Sequence, residues 1–339
     1  MGAAISLPLL SFFALPAFTS YGTSMNLLFF TLNWYILLLT HPPLQVEIIG
    51  IAVVKFLLYL LPGLLFLGLD AGVPSLASAV KTQGDFSLPV RGGRGAKNRV
   101  AKIVGWSVFN VALGIALLGS LETFLTKVLL MRHALSLSKT MPMPYAILKS
   151  VALLLAIRGT LQYPLHRYIL HSPRSPFTKL HMAWQHALPV PFTLAASYDH
   201  PICYLIHHWV PLYVPAIALR VHILPFLLAL SIATLADTIS YSGYSTALLP
   251  SGVILPGMAH RVEGHFLSKG EGNFSSFGLV DWVSGTSVGT DFIDDMKAEW
   301  DKRDGSGKLL EAGDNARNLI DGVGDKMRAK DGMRKGRKK

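Results

Sequence analysis

Residues 46–69 read VEIIGIAVVKFLLYLLPGLLFLGL, a run in which Glu47 and Lys55 are the only charged side chains. Crossing about 30 Å of hydrocarbon takes roughly 20 mostly apolar residues in helical form. This stretch is long enough, and its lack of an alternating pattern speaks against a strand. Similar runs lie on both sides of it. Residues 25–40 (MNLLFFTLNWYILLLT) are shorter but uninterrupted, 103–121 carry no charge, and 145–163 contain only Lys149 and Arg158. A last apolar block, 202–236, is broken near Arg220 and His222, which predicts two segments or a re-entrant pair. One buried helix of a soluble protein can look like this; five such runs in one chain cannot easily be explained that way. The fold class expected is all-α, a multi-pass membrane helical bundle.

Composition agrees. Of 339 residues, 51% are hydrophobic and 15% charged, against about 25% charged in soluble domains. The first 20 residues are also apolar, but they lack the positive start of a secretory signal and read as an interfacial or inserted segment. Cys203 is the only cysteine, which excludes an intrachain disulfide and a cysteine-based metal site.

The net charge of +11 is concentrated in two places. Lys81, Arg91, Arg94, Lys97, Arg99 and Lys102 lie in the loop 70–102. Lys326, Arg328, Lys330, Arg334, Lys335, Arg337, Lys338 and Lys339 lie in the charged tail 291–339, expected to be flexible. Beside membrane spans, the positive-inside rule and anionic headgroups account for such clusters better than nucleic acid does, so no nucleic-acid partner is expected. Both clusters then belong in the cytosol. Counting spans from there puts His166 to about residue 201, and everything from 250 onward, on the same side. Lys335-Gly336-Arg337-Lys338-Lys339 resembles a dibasic retrieval signal, which points to the endoplasmic reticulum membrane. Arg158 and Arg167 are expected to snorkel toward headgroups.

Ten of the twelve histidines fall between residues 166 and 265, where even spacing would put about three. Imidazole is the commonest metal ligand near neutral pH and suits iron, copper, nickel and zinc. The candidate ligands are His166, His171, His181, His186, His200, His260 and His265. His207 and His208, in an apolar run, can equally be ligands or groups bonded between helices. Spacing constrains the first set. His166/His171, His181/His186 and His260/His265 are each separated by five residues, about 140° around a regular helix, too far apart to chelate one ion. Such a pair needs a π-bulge, a helix end between its members, or two metals. Pro173 and Gly264 suggest helix ends, and a dinuclear centre fed from several elements fits this pattern better than one ion on one helix.

From residue 160 the order of features resembles the fatty acid hydroxylase/sterol desaturase superfamily of membrane diiron oxygenases. LQYPLHRYILH (161–171) looks like its first histidine box and KLHMAWQH (179–186) stands in the place of the second. PVPFTLAASYDHPICYLIHHWVPLYVPA (189–216) is similar to its His-Pro segment and hairpin, and HRVEGHFLSKGEGNFSSFGLVDWVSGT (260–286) to its last box and closing turn. The chain departs from the family pattern where H-x2-H-H is usual: Trp184 and Gln185 follow His181, Glu263 and Gly264 follow His260, and Tyr241-Ser242-Gly243 replaces His-Ser-Gly. Glu263 is a substitute oxygen ligand on this reading. The resemblance implies a catalytic region at 145–290, after an N-terminal membrane region at 1–144, with a cytosolic helical cap lined by histidines. It implies two irons, oxygen activation, and hydroxylation or desaturation of a lipid, sterol or related apolar substrate held between the spans. Electrons would come from a cytochrome b5-like or reductase partner, since the chain shows no flavin or nicotinamide fingerprint. It also implies that Asp199 holds His200 or a neighbouring histidine by a hydrogen bond, and that Asp281, Trp282, Gly285 and Thr286 close the fold. The altered boxes leave open a catalytically inactive relative that binds lipid or a partner enzyme. A metal transporter or carrier is a weaker alternative, because Lys55, Arg158 and Asp237 are few ionisable groups for a transport path.

Overall fold

The computed structural model describes residues 21–90, 95–244, 255–276 and 278–289. The apolar first 20 residues, Arg91, Arg94 and the tail from residue 290 with its basic end lie outside them. Among the described residues the chain is helical, with two isolated bridges, Lys81 to Tyr244 and Ser136 to His222, as its extended pairings. It is an all-α membrane protein.

Among the described residues, four helices are long and apolar enough to cross a membrane: α2 (Pro43–Gly72), α4 (Ala96–Val128), α5 (Pro144–Leu170) and α8 (Ile223–Ser240). Helix α1 (Tyr21–Thr40) precedes them, and α3 (Pro74–Val80) follows α2. Helix α6 (Pro176–Trp184) and a helix over 201–218, α7, lie between α5 and α8; α9 (Leu255–Leu267) and α10 (Leu279–Val283) close the order. Proline marks many of the starts. Pro43, Pro74, Pro144, Pro176 and Pro201 open their helices, where a missing N–H costs nothing and φ is already set. The block 202–236 splits where its charges predicted. Arg220 takes φ 48° and the His222 ring accepts the Leu224 N–H, so α7 turns back into α8.

The side chains are distributed for lipid. Large apolar groups such as Ile49, Leu65, Phe109, Leu148 and Ile232 point outward and are exposed, while Glu47, Asn110, Glu122 and Arg158 are buried. That inversion of a soluble protein's pattern is what a hydrocarbon solvent selects. Arg158 does not snorkel. It is 2% exposed, and its Nη2 donates to both oxygens of Asp237 at 2.8 and 2.7 Å, joining α5 to α8 within the bundle. Arg167 is half-buried, bonded to the Tyr163 hydroxyl and stacked on Tyr163 and Tyr168. Nor is Lys81 a headgroup cation: buried, it donates to Asp70 at 2.7 Å, and the Tyr244 hydroxyl donates to the other Asp70 oxygen at 2.8 Å.

The long helices run back and forth, so the bundle has two ends. Residues 41–42, 129–143 and 219–222 turn at one end; residues 73–90, 171–200, 241–244, 255–276 and 278–289 gather at the other. An apolar core of Ile51, Leu118, Leu154, Ala216, Phe226 and Leu230 fills the bundle. A second, built on Tyr59, Ile103, Phe192, Leu194 and Phe266, ties the helices to the larger end. The Tyr59 hydroxyl donates to the Leu194 carbonyl at 2.7 Å, fixing that cap to α2.

Candidate metal centre

Under the cap, imidazoles from four stretches of chain meet. His166 and His171 come from the end of α5, His181 and His186 from α6 and the turn after it, His207 from α7, and His265 from α9. His166 has ring centroids of His171, His181, His207 and His265 at 4.9, 5.4, 4.1 and 4.6 Å. His186 lies 4.9, 5.1 and 4.9 Å from His171, His181 and His265. Four of them, His166, His171, His181 and His265, bring one donor atom each within 4.8 Å of all the others.

The three five-residue spacings are resolved in three ways. At His166/His171 the end of α5 widens into a π-helix, Leu165–Leu170, and the His171 N–H donates to the His166 carbonyl at 3.1 Å. That i to i+5 bond puts both rings on one face. At His181/His186 the α-helix stops at Trp184 and a 3-10 turn, Gln185–Ala187, carries His186 back beside His181. At His260/His265 helix α9 runs unbroken to Leu267, and Gly264 does not end it. The two rings therefore diverge: His265 is buried and His260 is exposed, apart from the cluster. His200 also stands outside it, half-buried against Trp184, where it caps the start of α7 by accepting the Ile202 N–H.

Hydrogen bonds at the outer ring nitrogens set the tautomers. Nδ1 of His166 donates to the Phe274 carbonyl at 2.8 Å, Nδ1 of His265 to the Gly272 carbonyl at 2.6 Å, and Nδ1 of His181 to Asp199 at 2.6 Å. Each leaves Nε2 as the nitrogen with the free lone pair, the arrangement that metal-binding imidazoles require. Those three Nε2 atoms are buried without a partner, as are Nε2 of His171 and both ring nitrogens of His186. Burial and the neighbouring imidazoles push His171 well below the usual histidine range and His186 down to about 2; burial lowers His265 to about 4. These rings are neutral at physiological pH, the form that ligates metal.

His207 differs. Gln162 accepts from Ser276 and donates to Nε2 of His207 at 3.1 Å, which leaves the His207 proton on Nδ1. His207 thus walls the cluster without offering it a lone pair. Gln162 lies one turn before His166, and that i,i+4 spacing was the available signal for it.

The loop after α9 completes the support. Asp281, fully buried, accepts the N–H groups of Phe274 and Ser275 at 2.7 Å each and the Thr286 hydroxyl at 2.8 Å. It holds in place the carbonyl that orients His166. Gly270 sits at φ +85°, and a Cβ there would lie 2.1 Å from Cε1 of His171, so the loop needs glycine at this point.

The departures from H-x2-H-H also have a place. The Gln185 amide donates to the Tyr241 hydroxyl at 2.8 Å, so two positions where the resembled pattern carries histidine are bonded to each other. Glu263 is not in the four-histidine group. Gln83 lies 3.5 Å from one of its oxygens, and the other is buried next to Gly243. Burial raises its carboxyl to about 7.

Buried, neutral, unpartnered nitrogen donors converging from separate elements fit a metal such as iron, for which imidazole is a suitable ligand. Comparison with family models matches residues 151–286 to the fatty acid hydroxylase family. Comparisons with curated proteins and with solved structures give no match.

Proposed function

We propose, from the premise that residues 151–286 form a fatty acid hydroxylase domain of the fatty acid hydroxylase/sterol desaturase superfamily, that the chain is an iron-dependent membrane oxygenase acting on a lipid, sterol or related apolar substrate. The observation that carries this reading is the set of inward-facing, unpartnered ring nitrogens of His166, His171, His181, His186 and His265. They are the proposed ligands, for two irons as the family resemblance implies. His200 and His260 are left out because they stand away from the group.

When bound, iron supplies activation of dioxygen and hence removal of hydrogen from an unactivated C–H bond. The chain's own part is positional and electrostatic. Phe274, Gly272 and Asp199 fix three rings so that none has to reorient on binding. Burial keeps His171, His186 and His265 unprotonated. Helices with lipid-facing flanks bring an apolar substrate within reach of the cap. Supply of electrons by a cytochrome b5-like or reductase partner, and placement in the endoplasmic reticulum with the histidine face toward the cytosol, belong to the same proposal.

The Gln185–Tyr241 bond favours one competing reading, a relative that has lost turnover and binds lipid or a partner. Elemental analysis of detergent-purified protein, expressed with ample iron, separates the two. Two irons per chain, with His171→Ala abolishing both iron and lipid oxidation while the fold persists, is the expected result. A metal-free chain would transfer the assignment to the inactive relative.

A further inference from the structure

The other end of the bundle holds a second convergence of ligand-type side chains. Glu47 near the start of α2, Glu122 near the end of α4 and His133 in the following segment place one donor atom each within 4.8 Å of one another. Both carboxylates are 0% exposed. Close packing of α2 on α4 brings them together: a Cβ on Gly119 would lie 3.0 Å from the Ile48 side chain. Glu122 is held on all sides. One oxygen accepts the N–H groups of Ala134 and Leu135 at 2.8 and 3.2 Å, and the other faces the His133 ring at 3.2 Å. Glu47 has no such backbone support: its side chain stands against that of Glu122, and neither oxygen has a partner outside the cluster.

Two adjacent carboxylates removed from water need compensation, because an uncompensated buried charge costs several kcal/mol. No lysine or arginine side chain bonds to either carboxylate among the described residues. Arg220 reaches only the His133 carbonyl, at 3.3 Å. The His133 side chain is 31% exposed and gives the group its contact with solvent. Two carboxylates and one imidazole with an open, water-facing side match the three-ligand zinc pattern. The donors are too few for calcium, which takes six to eight oxygens.

We propose that Glu47, Glu122 and His133 form a divalent transition-metal site of the zinc class, distinct from the histidine cluster. Helix α5 separates the two ends by its 27 residues, about 40 Å at 1.5 Å per residue. The ion would tie α2, α4 and the 129–143 segment together, whatever reaction the other end performs.

The test uses full-length protein in detergent, equilibrated with zinc and then freed of excess. Glu47→Gln is the cleanest variant, since Glu47 bonds to no group outside the cluster. It should hold one zinc fewer per chain than the parent, with the histidine-cluster metal unchanged. Zinc should raise the melting temperature of the parent and not of the variant. Equal zinc content, with the variant melting at or above the parent, would overturn the proposal in favour of two carboxyls sharing a proton. Should Glu47→Gln not fold, His133→Ala changes only a part-exposed side chain. A tenfold or greater loss of zinc affinity there supports the site, and unchanged affinity overturns it.

Discussion

Asp199 accepts the His181 ring proton with one oxygen and the His200 N–H with the other, while Asn110 holds the carbonyls of Ser197 and Asp199 at 2.9 Å each. The carboxylate is therefore immobile, and its charge makes the His181 lone pair a better donor. Asn at this position can still accept from one neighbour but brings no charge. Partners of this kind are worth 10- to 100-fold in metal affinity. For Asp199→Asn we expect a loss in that range, read as iron retained against a chelator, with the helical content unchanged. Asp199 was legible in the sequence as an orienting group, though not which imidazole it orients. The carbonyls of Phe274 and Gly272 were not legible at all, because any residue type supplies a carbonyl and only the backbone path decides where it points.

At the scale of the element, histidine spacing was informative only once helix geometry was known. Five-residue separation has one consequence on a regular helix and the opposite one on a π-helix, and the sequence of α5 does not announce the change. Pro173 marked the neighbourhood correctly: the helix ends just before His171. Gly264 marked an end that does not exist, because α9 packs through it to Leu267. A matched pair of variants measures this directly. His265→Ala should remove bound metal, whereas His260→Ala, one exposed ring on the far face of the same helix, should leave metal content and turnover within error of the parent. The bundle itself was far more readable. Long apolar runs admit few structures in lipid, since every backbone group has to be satisfied within the segment, and the break at Arg220 showed the hairpin. What those runs concealed was the inward-facing charge. Arg158 on an apolar helix looks the same in sequence whether it reaches for headgroups or, as here, for Asp237.

For the whole molecule, the histidine cluster ties stability to pH. In the unfolded chain these imidazoles take up protons near pH 6.5; in the folded chain His265 does so only near 4 and His186 near 2. Between those values the unfolded chain binds more protons at several imidazoles, while Glu263, raised to about 7, binds one more in the folded chain and offsets only part of this. Stability therefore rises with pH through the window and is lost as pH falls. The metal-free protein should show a level melting temperature above about pH 7 and a steady decline from 6.5 toward 4. Bound metal should steepen that decline, because protons then compete with the ion for the same lone pairs. A scan in detergent from pH 8 to 4, with and without chelator, gives both curves, and a flat metal-free curve would contradict the buried neutral cluster.

The Arg158–Asp237 pair also imposes an order of events during synthesis. The partners are 79 residues apart in sequence. At 5–20 residues per second, α5 leaves the ribosome on the order of 4 to 16 s before Asp237 does. Over that interval a helix with an uncompensated arginine near its middle faces an insertion penalty of about 2.5–3.5 kcal/mol. The arrival of α8 removes that penalty by supplying Asp237. The last of the described spans thus offsets the cost of inserting an earlier one, the helix that carries the first histidines of the cluster at its end.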